Sequence, residues 1–419
     1  MAESAHQRVL DWLSADGRDP ADCSQAEFQQ FAWHTVPYRG DGPSADVAEA
    51  CAQLLDLSGR PRAAAAMRRH NPEVLAAWER SDSAGFRAFV KANDATGITP
   101  PDTRLLTWAG VFGSVEAEVL DGAERLLEAA VEDGRLVPGG RRWRHAQRDL
   151  LQRWLSAPVA AHGGAVPVDA VRAERRERWL ESGTEIRGDI LRRALGVIEP
   201  PPERPEPLQA LLDVAVHTIP LTEAHRVPPA VIRQIAARLD WTTPGGTVRS
   251  ERHVPAFVTL RQLATDAGML VRRGRELRLG PAGRAAQSSP EVLAEMAARA
   301  WFGVEEFATE VSEIAASVLL EGPAAASRIA DVARSAVLPA WRRIDGLPPD
   351  PEELHDAVHA WLRKGLVLGW VELSSDEDAD DDTGIDRGTP GISYRLTTAG
   401  RRAAIAGLIG CAHAPRSRP

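Results

Sequence analysis

His355 and His359 stand one helical turn apart with Asp356 beside the first. Two imidazoles at that spacing can reach one metal ion from a single helix face. Asp356 is one methylene shorter than the glutamate that serves as general base in such motifs, and no third ligand follows nearby. The pair therefore reads as exposed helix histidines. Asp378, Asp380 and Asp382 have the alternate spacing of a calcium loop, but glycine falls at the seventh place and Thr389 at the twelfth, so the match fails. His34 and Tyr38 read as the packed end of a helix stopped by Pro37, with no carboxylate or nucleophile nearby. No phosphate-cradling glycine loop, dinucleotide fingerprint, nucleophile elbow or Cys–His signature is present. No catalytic residue, metal or cofactor is assigned.

The basic residues offer a different chemistry. Arg141, Arg142, Arg144, Arg148 and Arg153 interleave with Trp143 and Trp154. Residues 141–193 hold twelve arginines against seven acids, a +5 window in a chain of formal charge −9. Arginine with tryptophan can clamp phosphates and stack on bases. The competing use is a solvated helix, with Leu150, Leu151 and Leu155 inward and arginine stems lying over the surface. Residues 172–178 mix signs at helical ion-pair spacing, which favours that use.

What must position these groups is legible in residues 257–286. Leu260, Leu263, Ala264 and Ala267 recur at helical spacing. Gly268 suits a left-handed cap. Met269, Leu270 and Val271 supply a strand, Arg273-Gly274-Arg275 a turn, and Leu277 and Leu279 a return strand. The stretch closes on Leu279-Gly280-Pro281-Ala282-Gly283-Arg284, and Leu396-Thr397-Thr398-Ala399-Gly400-Arg401 repeats it. Two copies point to an internal repeat. This grammar resembles the wing and closing box of winged-helix domains of the MarR/PadR type, over roughly the C-terminal half. With Ile219-Pro220-Leu221-Thr222 and Val227-Pro228-Pro229, it is also similar to uncharacterised actinobacterial proteins related to the plasmid open-reading-frame-3-like group. The resemblance implies architecture and supplies no catalytic residues.

The expected fold is mainly α: a helical N-terminal adaptor over residues 1–97, a helical segment over 100–197, a proline-rich linker over 198–207, and winged-helix-like units over 208–302 and 303–412. Ser24 and Glu27 form a capping box, and Asn71-Pro72 is expected to start a helix. Residues 136–143 read as strand, turn and strand, a degenerate winged unit. Gly365 is expected to end the third helix of the last unit, ahead of a strand over 366–373. Residues 374–391 stretch its wing, and six of residues 376–382 are acidic. The twelve tryptophans are expected to anchor cores.

Cys23, Cys51 and Cys411 are too few and scattered for a disulfide framework, and no apolar run could span a bilayer. A cytoplasmic setting without membrane contact is expected. For function, a base-reading helix needs polar or cationic outward residues. The first unit offers Thr259, Arg261, Gln262 and Thr265, with Arg272, Arg273 and Arg275 in its wing. The second offers Glu352, Glu353, His355, Asp356 and His359, and residues 352–387 hold eleven acids against three bases. That surface repels phosphate. The preferred expectation is a non-catalytic scaffold or accessory protein with a protein partner, contacted through Glu352, Glu353 and Asp356. The alternatives are a DNA-binding regulator using Arg272, Arg273 and Arg275 or the Arg141–Arg148 group, and an enzyme whose site is assembled from distant segments.

Overall fold

The computed structural model describes residues 5–15, 23–241, 248–343, 345–374 and 392–415. Among them are eighteen α-helices and two three-stranded antiparallel sheets. No helix among them is long and apolar enough to cross a membrane. The chain divides into two compact units between Arg175 and Arg176.

The first unit holds α1 (Ala5–Ala15), α2 (Gln25–Gln30), α3 (Ala45–Leu57), α4 (Pro61–Trp78), α5 (Asp82–Thr96), α6 (Ser114–Glu132), α7 (Trp143–Leu155) and the start of α8 (Pro167–Glu181). The capping box forms: the Ser24 hydroxyl accepts from the Glu27 amide at 3.2 Å, and the Glu27 carboxylate accepts from the Ser24 amide at 2.7 Å. Pro37 does not stop the chain's helical path. After α2 the chain widens into two π-helical turns, Phe31–Thr35 and Pro37–Asp41. A proline leaves the carbonyl four residues back without its helical donor. Here that carbonyl belongs to Trp33, and the Trp78 indole N–H donates to it at 2.7 Å.

Pro72 likewise lies inside a helix rather than at the start of one. Ala63, Ala64 and Met67 before it and Val74, Leu75 and Trp78 after it are all buried along α4, and that continuous apolar face holds the helix through the proline. The expected hairpin over residues 136–143 is a turn without strands. The Leu136 amide donates to the Ala130 carbonyl at 2.8 Å, Gly139 is left-handed, and Pro138 has no amide to give a ladder.

The second unit continues with α9 (Glu185–Leu195), α10 (Glu206–Ala215), β1 (Ile219–Pro220), α11 (Pro229–Arg238), α12 (Pro255–Asp266), β2 (Leu270–Arg273), β3 (Glu276–Leu279), α13 (Pro281–Ser288) and α14 (Pro290–Phe302). After these come α15 (Glu306–Glu321), β4 (Ala324–Ala325), α16 (Ala326–Val337), α17 (Pro351–Leu368), β5 (Val371–Ser374), β6 (Ser393–Leu396) and α18 (Thr398–His413). The order helix, strand, helix, helix, strand, strand thus occurs twice, from α10 and again from α15. The two sheets have the same layout, β1-β3-β2 and β4-β6-β5. Ile219 pairs with Leu277, and Ala324 with Tyr394.

The repeated sequence box has a physical cause. Gly268 and Gly369 are left-handed, and the next amides, of Met269 and Trp370, each turn back to the helix at 2.9 Å. The Met269 carbonyl then accepts from Gly280 at 2.8 Å, and the Trp370 carbonyl from Thr397 at 3.0 Å. Gly283 and Gly400 lie against those same two carbonyls, where a Cβ would overlap the oxygen. Each closing helix can pass its hairpin only with glycine there.

Two expectations for α17 and the strand after it change. Gly365 does not end α17, which runs to Leu368 and is capped by Gly369. A Cβ on Gly365 would stand 2.5 Å from Val371 Cγ2 and 3.0 Å from Trp301 Cζ2, so the glycine admits neighbours. The strand is shorter than residues 366–373, covering Val371–Ser374 alone. Residues 198–207 lie within the second unit, where Glu199 meets Arg401 at 3.2 Å and Glu203 meets Arg402. One apolar core includes Leu191 and Ala194 before this stretch and Leu208 and Leu211 after it. The acidic run over residues 376–382 and the Pro244-Gly245-Gly246 loop lie outside the described residues. Trp33, Trp78, Trp179, Trp301, Trp341, Trp361 and Trp370 are buried, as core anchors should be.

Candidate interaction surfaces

The arginine-rich window does not form one basic face. Arg144 grips Asp94 with two nitrogens, at 2.8 and 2.5 Å, and lies over the Trp143 ring at 4.6 Å. That contact holds the Asp94 carboxyl below its usual range. Arg175 is buried and pairs with the fully buried Glu116. Arg187 is buried and pairs with Glu313, Arg192 meets Asp189 at 2.7 Å, and Arg193 meets Glu321 at 3.1 Å. Arg141, Arg142 and Arg148 are exposed, with no side-chain ion pair or hydrogen bond among the described residues. Arg142 adopts a left-handed backbone at φ 67° just ahead of α7.

His34 and Tyr38 do meet, stacked at 5.4 Å, with Trp78, Phe86 and Phe89 around the imidazole. The ring is occupied by packing and by Gln30, 2.9 Å from Nδ1.

In the second unit a buried carboxylate organises the surface of the first repeat. Glu251, 8% exposed, accepts from the Val227 amide and from Arg261, whose Nη1 is 2.5 Å away. This fastens the loop before α11, the turn before α12 and α12 itself. It also removes Arg261 from the set free to read bases. Thr265 donates to the Arg261 carbonyl at 2.8 Å and Gln262 to Asp266 at 2.6 Å. Arg261, Gln262 and Thr265 are thus satisfied within the helix and its supports, whereas half-buried Thr259 makes no side-chain hydrogen bond among the described residues. Arg272, Arg273 and Arg275 differ: all three are exposed at the hairpin tip, without a side-chain partner among the described residues. Arg249 and Arg252 are exposed near α12.

In the second repeat the Asp350 side chain caps α17 by accepting from the Glu352 amide at 2.9 Å. Glu352, Glu353 and Asp356 are exposed on its first turns, and Glu353 meets Arg343 at 3.3 Å. His355 lies 3.3 Å from Arg334 and His359 is exposed. No group of three or more metal-ligating side chains occurs among the described residues. Helices α12 and α17 pack against each other within the shared core.

Sequence reasoning passed over Glu251, Glu313 and Glu116. Glu313 carried a readable signal, an acid set among Val311, Ile314 and Ala315 on a helix apolar on every side. No protein family, curated protein or solved structure matches the chain.

Proposed function

We propose that the chain is a non-catalytic interaction protein, a scaffold or accessory factor, whose second unit consists of two winged-helix-like repeats. The strand order, with the first short strand against the last, supports the winged-helix reading in both copies. The observation that carries the functional reading is the packing of α12 against α17. The third helix is the element such a fold would lay in a DNA groove. Here the two third helices engage each other, and Arg261, Gln262 and Thr265 on α12 are internally bonded. The acids Glu352 and Asp356 on α17 then offer a negative surface suited to a basic protein partner. The thiols of Cys23 and Cys51, buried and in no disulfide, fit a reducing cytoplasm.

The test is co-purification from the native host with the wild type and with Glu352→Lys/Asp356→Lys. A protein recovered with the first and lost with the second supports the reading. A protein held equally by both overturns the assignment of that surface. One observation favours a second reading: Arg272, Arg273 and Arg275 stand free at one hairpin tip, as phosphate-binding arginines would.

A further inference from the structure

Ala146, Asp149, Leu150 and Arg153 recur at helical spacing and form one stripe along α7. An open groove lies over this stripe. One part, about 280 Å³, runs between α7 and the turn that carries Arg135 and Leu136. The other, about 200 Å³, continues over Gln152 and Ser156, and the two adjoin at Asp149 and Arg153. Neither part reaches the ~300 Å³ of the smaller small-molecule pockets. From Ala146 to Ser156 the groove follows α7 for about 15 Å, at roughly 1.5 Å per residue, which suits a segment of chain. Its floor is apolar, with Leu136 buried, Leu150 half-buried and Ala146 exposed. Its surroundings are cationic. Residues 133–156 hold six arginines against Asp133 and Asp149, and Asp94 takes Arg144, which leaves a net +3. Arg135 pairs with Asp133 at 2.7 Å and Asp149 lies 3.2 Å from His145, both on the exposed surface where such pairs exchange readily. Arg153 has no side-chain partner among the described residues.

We propose that this groove docks an acidic, amphipathic segment of a partner protein, about three helical turns long. The apolar side of the segment lies on Leu136, Ala146 and Leu150, and its carboxylates meet Arg153 and Arg135. Nucleic acid is the other polyanion that such charge could attract, and the tryptophans of this window argue against it. A strand held without sequence preference stacks its bases on free rings. Here Arg144 lies over Trp143 at 4.6 Å, and half-buried Trp154 meets His162 edge-on at 5.9 Å, so neither ring is a free platform. Asp149 also stands within the groove, where it would face the phosphates. This surface belongs to the first unit and does not depend on what the acids of α17 meet.

The test selects from a displayed library of random segments of about twelve residues, long enough to follow the groove as a helix. The library is first depleted on the full chain carrying Ala146→Gln, an exposed position where the longer side chain fills the floor without adding charge, and then selected on the wild type. The segments kept are expected to be acidic, with apolar residues three or four apart. The best of them, as a synthetic peptide, should bind Arg153→Glu about tenfold more weakly than the wild type, because one charge beside the groove is reversed. Arg153→Lys should keep most of the binding, and Glu352→Lys/Asp356→Lys all of it. No enrichment, enrichment of segments without acids, a peptide indifferent to Arg153→Glu, or one lost with the α17 substitutions overturns the proposal. So does a single-stranded oligonucleotide that binds more tightly than the peptide and is lost with Arg153→Glu, which would give the groove to nucleic acid.

Discussion

Arg187 and Glu313 form an ion pair at 2.5 Å in which neither side chain has any exposure. The pair is enclosed by further bonds: the Trp179 indole donates to Glu313 at 2.8 Å, and Arg187 donates to the Trp179 carbonyl at 2.8 Å. Two charges taken out of water repay their desolvation only when both are present and well bonded. Glu313→Ala or Arg187→Ala should each cost about 3–5 kcal/mol, since either strands a buried charge. Replacing both by apolar residues of similar size should cost clearly less than the two single losses together. Urea unfolding of the four proteins closes this double-mutant cycle. Additive losses would show that the pair is not coupled.

The box glycines invite a second test. Gly283 and Gly400 face backbone carbonyls, which cannot rotate away as a side chain can. Gly283→Ala and Gly400→Ala should each destabilise the second unit by roughly 2–4 kcal/mol. Gly346 has a left-handed backbone and open space around it, so Gly346→Ala should cost only the conformational strain, about 1 kcal/mol. Equal losses at all three positions would remove the packing explanation for the repeated box.

That box shows what the sequence made legible. Its glycine and flanking apolar residues are local necessities of one strand–helix junction, so their recurrence announced two copies of one arrangement. The capping box at Ser24 was readable for the same reason. The failures have a common cause in distant partners. Pro37 read as a helix stop and Pro72 as a helix start, because nothing near them in sequence reveals that Trp78 will supply the missing donor or that one apolar face runs through. The arginine window looked like a surface because Glu116, Glu313 and Asp94, which neutralise part of it, lie far away along the chain. Residues 136–143 alternated like strands, yet the turn is held by a bond back to Ala130.

Thr218 offers a conformational test. It is β-branched and left-handed at φ 62°, an arrangement that crowds its own backbone. Thr218→Gly should stabilise the protein by up to about 1 kcal/mol, with relief of strain partly offset by added freedom in the unfolded chain. A loss of stability on that change would mean that the side chain makes a contact worth more than the strain.

Glu124 sets a pH dependence of definite sign. Burial chiefly, then the charges of Asp121, Glu27 and Glu128, push its pKa up to about 7 from an ordinary 4.5, while Arg125 opposes them. The folded state therefore holds this proton more tightly than the unfolded state. The associated stability is present below pH 4.5 and is lost as pH rises to about 7. Glu124→Gln should then be more stable than wild type at pH 8, by roughly 1–3 kcal/mol after solvent screening. The difference should vanish toward pH 4.5. A variant equally stabilised at both values would show that the gain is packing rather than titration.

The free arginines of the β2–β3 hairpin separate the two functional readings. If Arg272, Arg273 and Arg275 clamp phosphates, random duplex DNA should bind at low salt. Its log affinity should then fall with log salt at a slope of about −0.9 per contacted phosphate. Replacing all three by alanine should flatten that slope and abolish the shift, with no change in folding, since their side chains bond nothing among the described residues. Arg141, Arg142 and Arg148 make the matching test on the first unit. Arg144 is a control, because Asp94 already neutralises it and its loss should leave any binding nearly intact. If the chain instead works by protein contact through α17, duplex should not be retained at moderate salt. The sensitive positions would then be Glu352 and Asp356. Tight, salt-dependent duplex binding that the hairpin substitutions abolish would move the function from protein contact to DNA.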